Sequence, residues 1–272
     1  MKPADIDAVL VTAITKLRSG NLRGADDDCT SLLTAVPRHP GVHQLLAVVA
    51  QYRNDLPQAR KHIDISLQER PTHVATLLLA GRLARDADDL SAAVSYFRRA
   101  AGLAPDAGEP AFLLGSAHLA LSEIDDAVHA LQIARKLDPR SKEIAFNLGA
   151  ALQKKNLLAD ACVAFEHAVS LDATFASAWF ALGVARQDMQ QLTLAAGAFR
   201  SALQYKTDYS EAAVNLGIVL QQMGRLQDAI AAYQTAIKLD PSSFGRISHA
   251  LSGASTGTLL LDLNALKQLL TT

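Results

Sequence analysis

The chain has 272 residues, of which half are apolar and only 5% aromatic, and its formal net charge at pH 7 is -1. This length and apolar content can bury a substantial core, which excludes a disordered tail. Alanine and leucine are the most prominent residues, which favours close-packed helices over strands. The balanced charge provides no strong positive field, so we expect neither nucleic acid nor a membrane surface as a partner.

The two cysteines and the N-terminal residues bear on the compartment. Cys29 and Cys162 have no CxxC or Cys/His ligand spacing near them, so we interpret them as small apolar fillers in a reducing compartment. Asp5 and Asp7 interrupt the apolar run that a signal segment needs, and no stretch approaches 18 uncharged apolar residues. We therefore expect a soluble cytoplasmic protein.

A period of 34 residues organises the chain. Glycine recurs with this spacing in five units, alanine in seven, and a larger residue follows the alanine by four positions in five units. These columns are Gly81, Gly115, Gly149, Gly183 and Gly217; Ala25, Ala59, Ala93, Ala127, Ala161, Ala195 and Ala229; and Phe97, Leu131, Phe165, Phe199 and Tyr233. Apolar residues between them follow helical spacing, so each unit predicts two antiparallel helices joined by a short polar turn.

A recurring helix glycine needs a physical reason, because it costs roughly 1 kcal/mol relative to alanine. We expect a neighbouring helix to come too close there for a side chain. The larger residues are expected to fill the space between consecutive helix pairs, so that no unit folds alone.

In chain order, the pattern predicts a repeat domain over 1–243 and a separate segment over 244–272. The predicted units are about 6–39, 40–73, 74–107, 108–141, 142–175, 176–209 and 210–243. Ala13 and Ala47 replace the glycine in the first two units, and the first is expected to be a divergent cap. The last segment is expected to form a capping helix, a homodimer interface, or the joint to a missing catalytic domain.

Two of the units carry a family resemblance. The residues that carry it are Trp179, Leu182, Gly183, Ala195, Phe199 and Ala202, and Leu216, Gly217, Ala229, Tyr233, Ala236 and Pro241. Both sets resemble the tetratricopeptide repeat signature, and the resemblance covers about residues 6–243. It implies an all-α, right-handed superhelical solenoid of antiparallel helix pairs. It also implies a non-catalytic scaffold that binds a protein or peptide in a concave groove lined by the first helices.

The family's groove positions give a set of candidate peptide-binding residues. They are Arg82 and Arg85 in the third unit, Phe112 in the fourth, Phe146, Asn147 and Gln153 in the fifth, Phe180 and Gln187 in the sixth, and Asn215, Ile218 and Gln221 in the seventh. The asparagines are expected to hydrogen-bond a peptide main chain, or else to be solvated residues without a role. The three phenylalanines form either a contact stripe or packing against adjacent first helices.

Catalytic chemistry is not indicated by the remaining motifs. The eight histidines lack HExxH spacing and are expected at surface or helix-margin positions. The acidic runs near the starts of second helices are explained by the helix dipole. The paired basic residues that clamp a C-terminal carboxylate are absent, and similarity to the asparagine-lined repeats of protein O-GlcNAc transferases rests on two units. We expect no enzyme activity, no metal and no cofactor.

An alternative function stays open. The chain would then be the substrate- or partner-recognition region of a larger enzyme, for example a glycosyltransferase- or sulfotransferase-like protein, whose catalytic domain lies outside this sequence.

Overall fold

The computed structural model describes residues 3–252, and within that range it is an array of α-helices without a β-strand. Fifteen α-helices and one short 3-10 helix, Pro241–Ser243, are described. The α-helices are α1 Pro3–Arg18, α2 Leu22–Ala35, α3 Pro40–Tyr52, α4 Leu56–Glu69, α5 Val74–Asp86, α6 Leu90–Leu103, α7 Gly108–Ala120, α8 Ile124–Leu137, α9 Lys142–Lys154, α10 Leu158–Leu171, α11 Ala176–Asp188, α12 Leu192–Tyr205, α13 Ser210–Gln222, α14 Leu226–Leu239 and α15 Phe244–Ser252.

The helices form two compact units, residues 1–137 and 138–272, which we call the N-terminal and C-terminal units. Within each unit, successive helices pack as pairs: α1 with α2 through α7 with α8, and α9 with α10 through α13 with α14. The second helix of a pair then contacts the first helix of the next pair in the same unit. The predicted all-α solenoid of antiparallel helix pairs is confirmed.

The turn inside each pair has one conformation throughout. Seven residues, spaced by the repeat, occupy the left-handed region with φ between 58° and 80°: Gly20, Asn54, Asp88, Ser122, Asn156, Gln190 and Gly224. The next residue's N–H bonds to the carbonyl five residues earlier, as Gln191 does to Arg186 at 2.8 Å. This Schellman arrangement ends each first helix and reverses the chain within three residues.

The helix glycines lie against the large residue of the second helix in their own pair. A Cβ built at Gly183 would stand 2.6 Å from Cε1 of Phe199, and one at Gly149 would stand 2.6 Å from the same atom of Phe165. The expected close approach is therefore present. The larger residues were predicted between consecutive pairs, and the ring of Phe199 contacts the next pair but also fills the space within its own pair. The ring of Tyr233 covers Gly217 in the same way.

Both cysteines are buried. Burial, reinforced by the nearby carboxylates of Asp28 and Asp26, raises the pKa of the Cys29 thiol to about 12. Burial likewise raises the pKa of Cys162. A thiol with a raised pKa is a poor nucleophile, so the interpretation of these residues as apolar fillers agrees with their surroundings.

The segment after the last repeat is described only in part. Helix α15 contacts α13, and the Gln221 amide donates to the Ala250 carbonyl at 3.0 Å. The rest of the predicted capping or dimer segment lies outside the described residues. Among the helices of residues 3–252, none combines the length and apolarity that crossing a membrane requires.

Candidate peptide-binding face

First helices of neighbouring repeats touch one another directly. In the C-terminal unit α9 contacts α11 and α11 contacts α13, whereas the second helices contact one another less. We call the surface formed by α9, α11 and α13 the first-helix face. The candidate residues of the fifth to seventh repeats all belong to these three helices, and helical spacing puts Phe146, Asn147 and Gln153 on one side of α9.

In the N-terminal unit, the candidate arginines are engaged by carboxylates. Arg82 on α5 forms an ion pair and a hydrogen bond with Glu109 at the start of α7. Arg85 lies 3.2 Å from Oδ1 of Asp86, and the other carboxylate oxygen of Asp86 accepts a hydrogen bond of 2.9 Å from Gln51 on α3. These contacts connect successive first helices, so a ligand would have to compete with partners already in place.

The candidate phenylalanines are half-buried and packed against other apolar side chains. Phe146 lies between Phe165 and Phe175, with ring centroids 5.8 and 5.2 Å away. Phe180 repeats this arrangement with Phe199 at 5.8 Å and Tyr209 at 4.9 Å. Each ring therefore contacts both its own second helix and the residue that precedes the next first helix. In the N-terminal unit, Phe112 packs against the core around α6 and α7.

Sequence reasoning missed the outer ring of each aromatic cluster. Phe175 and Tyr209 occupy the same position in successive repeats, just before α11 and α13, and that recurrence was the available signal. Lys142 stands 5.3 Å above the Phe175 ring and Lys206 stands 4.5 Å above the Tyr209 ring. The edge of the first-helix face thus carries aromatic rings with lysines already stacked on them.

The amide side chains of the first-helix face fall into two groups. Gln221 is fully engaged, because its Oε1 accepts from the Tyr233 hydroxyl at 2.8 Å while its amide donates to α15. Gln153, Gln187 and Asn215 are half-buried. Within residues 3–252 their side chains make no hydrogen bond, which leaves a donor and an acceptor on each of α9, α11 and α13.

The other two candidates have protein contacts. Asn147 is half-buried and takes part in an interaction within the protein. Ile218 packs against the core formed around α13 and α14. Both residues are nevertheless on the helices that form the first-helix face.

An ion pair fixes one end of the first-helix face. The Lys142 ammonium, at the start of α9, donates to Asp172 at 2.5 Å, and Thr174 donates to the same carboxylate from both its hydroxyl and its main chain. The hydrogen bond from Lys142, followed by those from Thr174, lowers the pKa of Asp172 to about 2. Asp172 thereby stays ionised at every physiological pH and anchors the loop between α10 and α11.

Two of the eight histidines contradict the expectation that all lie at the surface or helix margins. His43 and His118 are both buried, with 3% of their surface exposed. His118 Nδ1 is 2.5 Å from Oε2 of Glu123, and Asp126 is near enough for the three groups to hold a cation. The two carboxylates lie at the N-terminus of α8, whose dipole favours negative charge and opposes a bound cation. The helix dipole and the contact between His118 and Glu123 account for this cluster.

These observations define a helical repeat scaffold that presents a face of stacked first helices. Tetratricopeptide repeat family models match residues 45–108, 112–176 and 210–243, which together exceed half of the chain. The chain therefore belongs to the tetratricopeptide repeat family, whose members are generally non-catalytic scaffolds for protein interaction. No curated protein sequence matches it.

Solved structures share this fold at low sequence identity. The C-terminal part of a TPR repeat-containing protein from Cytophaga hutchinsonii has a TM-score of 0.72 at 14% identity, covering 89% of this chain and 99% of that one. MamA from Desulfovibrio magneticus RS-1 has 0.59 at 20%, covering 62% and 96%. YrrB, described as a TPR protein with an unusual peptide-binding site, has 0.58 at 17%, covering 66% and 92%. The likeness concerns the fold.

Proposed function

We propose that this protein is a non-catalytic scaffold that binds an extended peptide segment of a partner protein on the first-helix face of its C-terminal unit. The observation that carries the proposal is the set of half-buried amides, Gln153, Gln187 and Asn215, which have no hydrogen-bond partner in the part of the chain that is described. Each amide offers one donor and one acceptor, which is what an extended main chain also offers.

Two further features support this face over the N-terminal unit. The candidate arginines of that unit are already paired with Glu109 and Asp86, so their charges are compensated within the protein. On the first-helix face, Phe146 and Phe180 provide half-buried aromatic surface beside the amides. A combination of apolar floor and uncommitted amides suits main-chain recognition with little demand on the partner's side chains.

The face carries charges of both signs. Glu143 and Glu211 are exposed at the starts of α9 and α13, and Asp188 is exposed at the end of α11. Lys154 is exposed at the end of α9 and Lys206 is exposed at the edge of the face, whereas Lys142 is paired with Asp172. These charges do not favour a partner of one sign, so the proposed ligand is an internal peptide segment recognised by its main chain.

The test begins with a library of random peptides displayed with both ends joined to a carrier, from which binders of the full chain are selected. The affinity of the enriched peptide is then measured by calorimetry for Gln187→Ala, Asn215→Ala and the double variant. A main-chain hydrogen bond contributes about 1 kcal/mol net, so each substitution should weaken binding about fivefold and the pair about 25-fold.

Gln204→Ala is the matched control, since Gln204 is an exposed glutamine on the second helix α12 of the same unit. It should leave the affinity unchanged. If the enriched peptide tolerates the double variant, or loses affinity with Gln204→Ala instead, the peptide binds elsewhere and the proposed face is wrong. Failure to enrich any peptide above the library background would count against peptide binding itself.

A further inference from the structure

A pair of histidines joins the two helices of the second repeat in the N-terminal unit. His43, on α3, lies with Nδ1 at 2.9 Å from Nδ1 of His62 on α4, and the two ring centroids are 5.2 Å apart. The other nitrogen of His43, Nε2, lies 2.8 Å from the carbonyl oxygen of Pro37. Pro37 belongs to the loop between α2 and α3, so one buried ring links this loop to the second repeat.

The proton positions follow from the partners. A carbonyl oxygen only accepts, so Nε2 of His43 carries the hydrogen that it donates to Pro37. In the neutral ring Nδ1 is then an acceptor, and the hydrogen between the two rings belongs to Nδ1 of His62. When both imidazoles are neutral, the chain of donors therefore runs from His62 through His43 to the Pro37 carbonyl.

Trp179 makes the corresponding hydrogen bond to the preceding loop in a repeat that has no histidine at this position. It occupies in the sixth repeat the position that His43 occupies in the second, and its indole Nε1 donates to the carbonyl of Ala173 at 2.8 Å. In both cases the acceptor lies six residues before the ring. The same structural hydrogen bond is therefore made by an indole, which cannot titrate, in the sixth repeat and by an imidazole, which can, in the second.

We propose that His43 and His62 form an acid-sensitive latch between α3 and α4, in which the neutral pair joins the two helices and a second proton on the pair breaks the hydrogen bond between the rings. One added proton is compatible with this hydrogen bond, because His62 can take it at Nε2 and still donate from Nδ1. A second proton would place two N–H groups against each other at 2.9 Å in a partly buried site. The rings must then separate, while His43 can still donate from Nε2 to the Pro37 carbonyl.

The groups around the pair include some that lower the pKa of His62 and one that raises it. Burial lowers the pKa of His62, the His43 ring and Lys61 lower it further, and Asp26 on α2 opposes them. Arg53, next to the end of α3, forms a 2.7 Å ion pair with that Asp26 carboxylate, which weakens its effect.

Two further titratable groups, Asp55 and His39, lie near the histidine pair. Asp55 lines the same polar pocket as His62. On the loop side, burial and Arg70 lower the pKa of His39, the residue that precedes α3.

The direction in which pH changes the stability of the protein follows from the number of protons that the folded and unfolded chains take up. In the unfolded chain each imidazole takes up a proton near pH 6.5, whereas the folded pair accepts one instead of two. Stability from the latch is therefore complete above about pH 6.5 and is lost as the pH falls. For one refused proton, the unfolding equilibrium constant rises by up to about tenfold per pH unit below this value.

The experiment is a histidine ¹⁵N titration of the full chain by NMR, joined to urea unfolding between pH 7.5 and 5.5. The titration should show the Nε2–H tautomer of His43 at pH 7.5 and a single protonation of the pair down to pH 5.5. His62→Gln keeps an N–H donor for His43 and can rotate its amide to present oxygen when that ring is protonated. The unfolding equilibrium constant of His62→Gln should therefore depend less steeply on pH than that of the parent. The difference should be up to about a factor of ten per pH unit.

His129→Gln is the control, because His129 is exposed on α8 of the same unit. It should keep the parent's pH dependence. Independent protonation of both rings near pH 6.5, or equal slopes for the parent and His62→Gln, would overturn the latch. If His62→Gln does not fold, the titration of the unmodified chain decides alone.

Discussion

Gly183 offers the sharpest test of how the repeats pack. A methyl group added there would lie 2.6 Å from Cε1, 2.7 Å from Cδ1 and 3.0 Å from Cζ of Phe199, whereas carbon atoms in contact are normally about 3.5 to 4.0 Å apart. Phe199 is fully buried and shares a core with Ala213 and Val214 of the next repeat, so its ring cannot move without disturbing that core.

Gly197, on the second helix of the same repeat, provides the matched comparison. It is exposed, and a Cβ there would meet no atom within 4 Å. Alanine gains about 1 kcal/mol of helix propensity at either site. At Gly183 the inserted methyl group also costs roughly 1–3 kcal/mol of overpacking. The propensity gain cancels in the comparison, so the two variants should differ by the overpacking cost alone, roughly 1–3 kcal/mol.

The assay is urea unfolding of both variants in the full chain, followed by far-UV circular dichroism and by the fluorescence of Trp179, the single tryptophan. Both glycines lie in the C-terminal unit, so both changes act on the same repeats. We expect Gly197→Ala to raise the urea midpoint and Gly183→Ala to lower it or leave it unchanged. Equal stabilisation by the two substitutions would refute a steric role for the glycine column.

Two other predictions concern the turns and the charges. Gln190 has φ 58°, a conformation that costs a non-glycine residue about 1 kcal/mol or more. Gln190→Gly should therefore raise the urea midpoint, whereas Gly224→Ala, at φ 75°, should lower it. A lower midpoint for Gln190→Gly would contradict this reasoning. Because its pKa is depressed to about 2, Asp172 contributes stability that is complete above about pH 4 and is lost as the pH falls through about 2. The thermal midpoint of the parent should therefore fall towards that of Asp172→Asn over this range, and a constant difference between them would argue against the Lys142 hydrogen bond as the cause.

The family comparison explains why so much of the fold was predictable. In a repeat array each unit contacts mainly its neighbours, so the same requirement recurs at one spacing along the chain. The glycine column predicted a close approach, and Gly149 and Gly183 show it. The polar turn around Gly224 predicted a chain reversal, and the left-handed conformation recurs there in every repeat.

The candidate site was less accessible to sequence reasoning. The repeat phase placed Gln187 and Gln221 at equivalent positions, but only the structure distinguishes an amide without a hydrogen-bond partner in residues 3–252 from one engaged with Tyr233 and α15. The burial of His43 was also not predicted, because its column holds residues as different as leucine and tryptophan. The repeat pattern predicts that α3 packs against α4, but it does not specify that His43 and His62 meet across that contact.

The sequence by itself determined the repeat length, the alternation of first and second helices, and the positions where no side chain fits, because these are set by local geometry repeated many times. The tertiary structure decided which polar groups are hydrogen-bonded within the described residues and which are not. That outcome depends on single side chains such as Arg82 and Glu109 meeting across helices, and such meetings leave no periodic trace in the sequence.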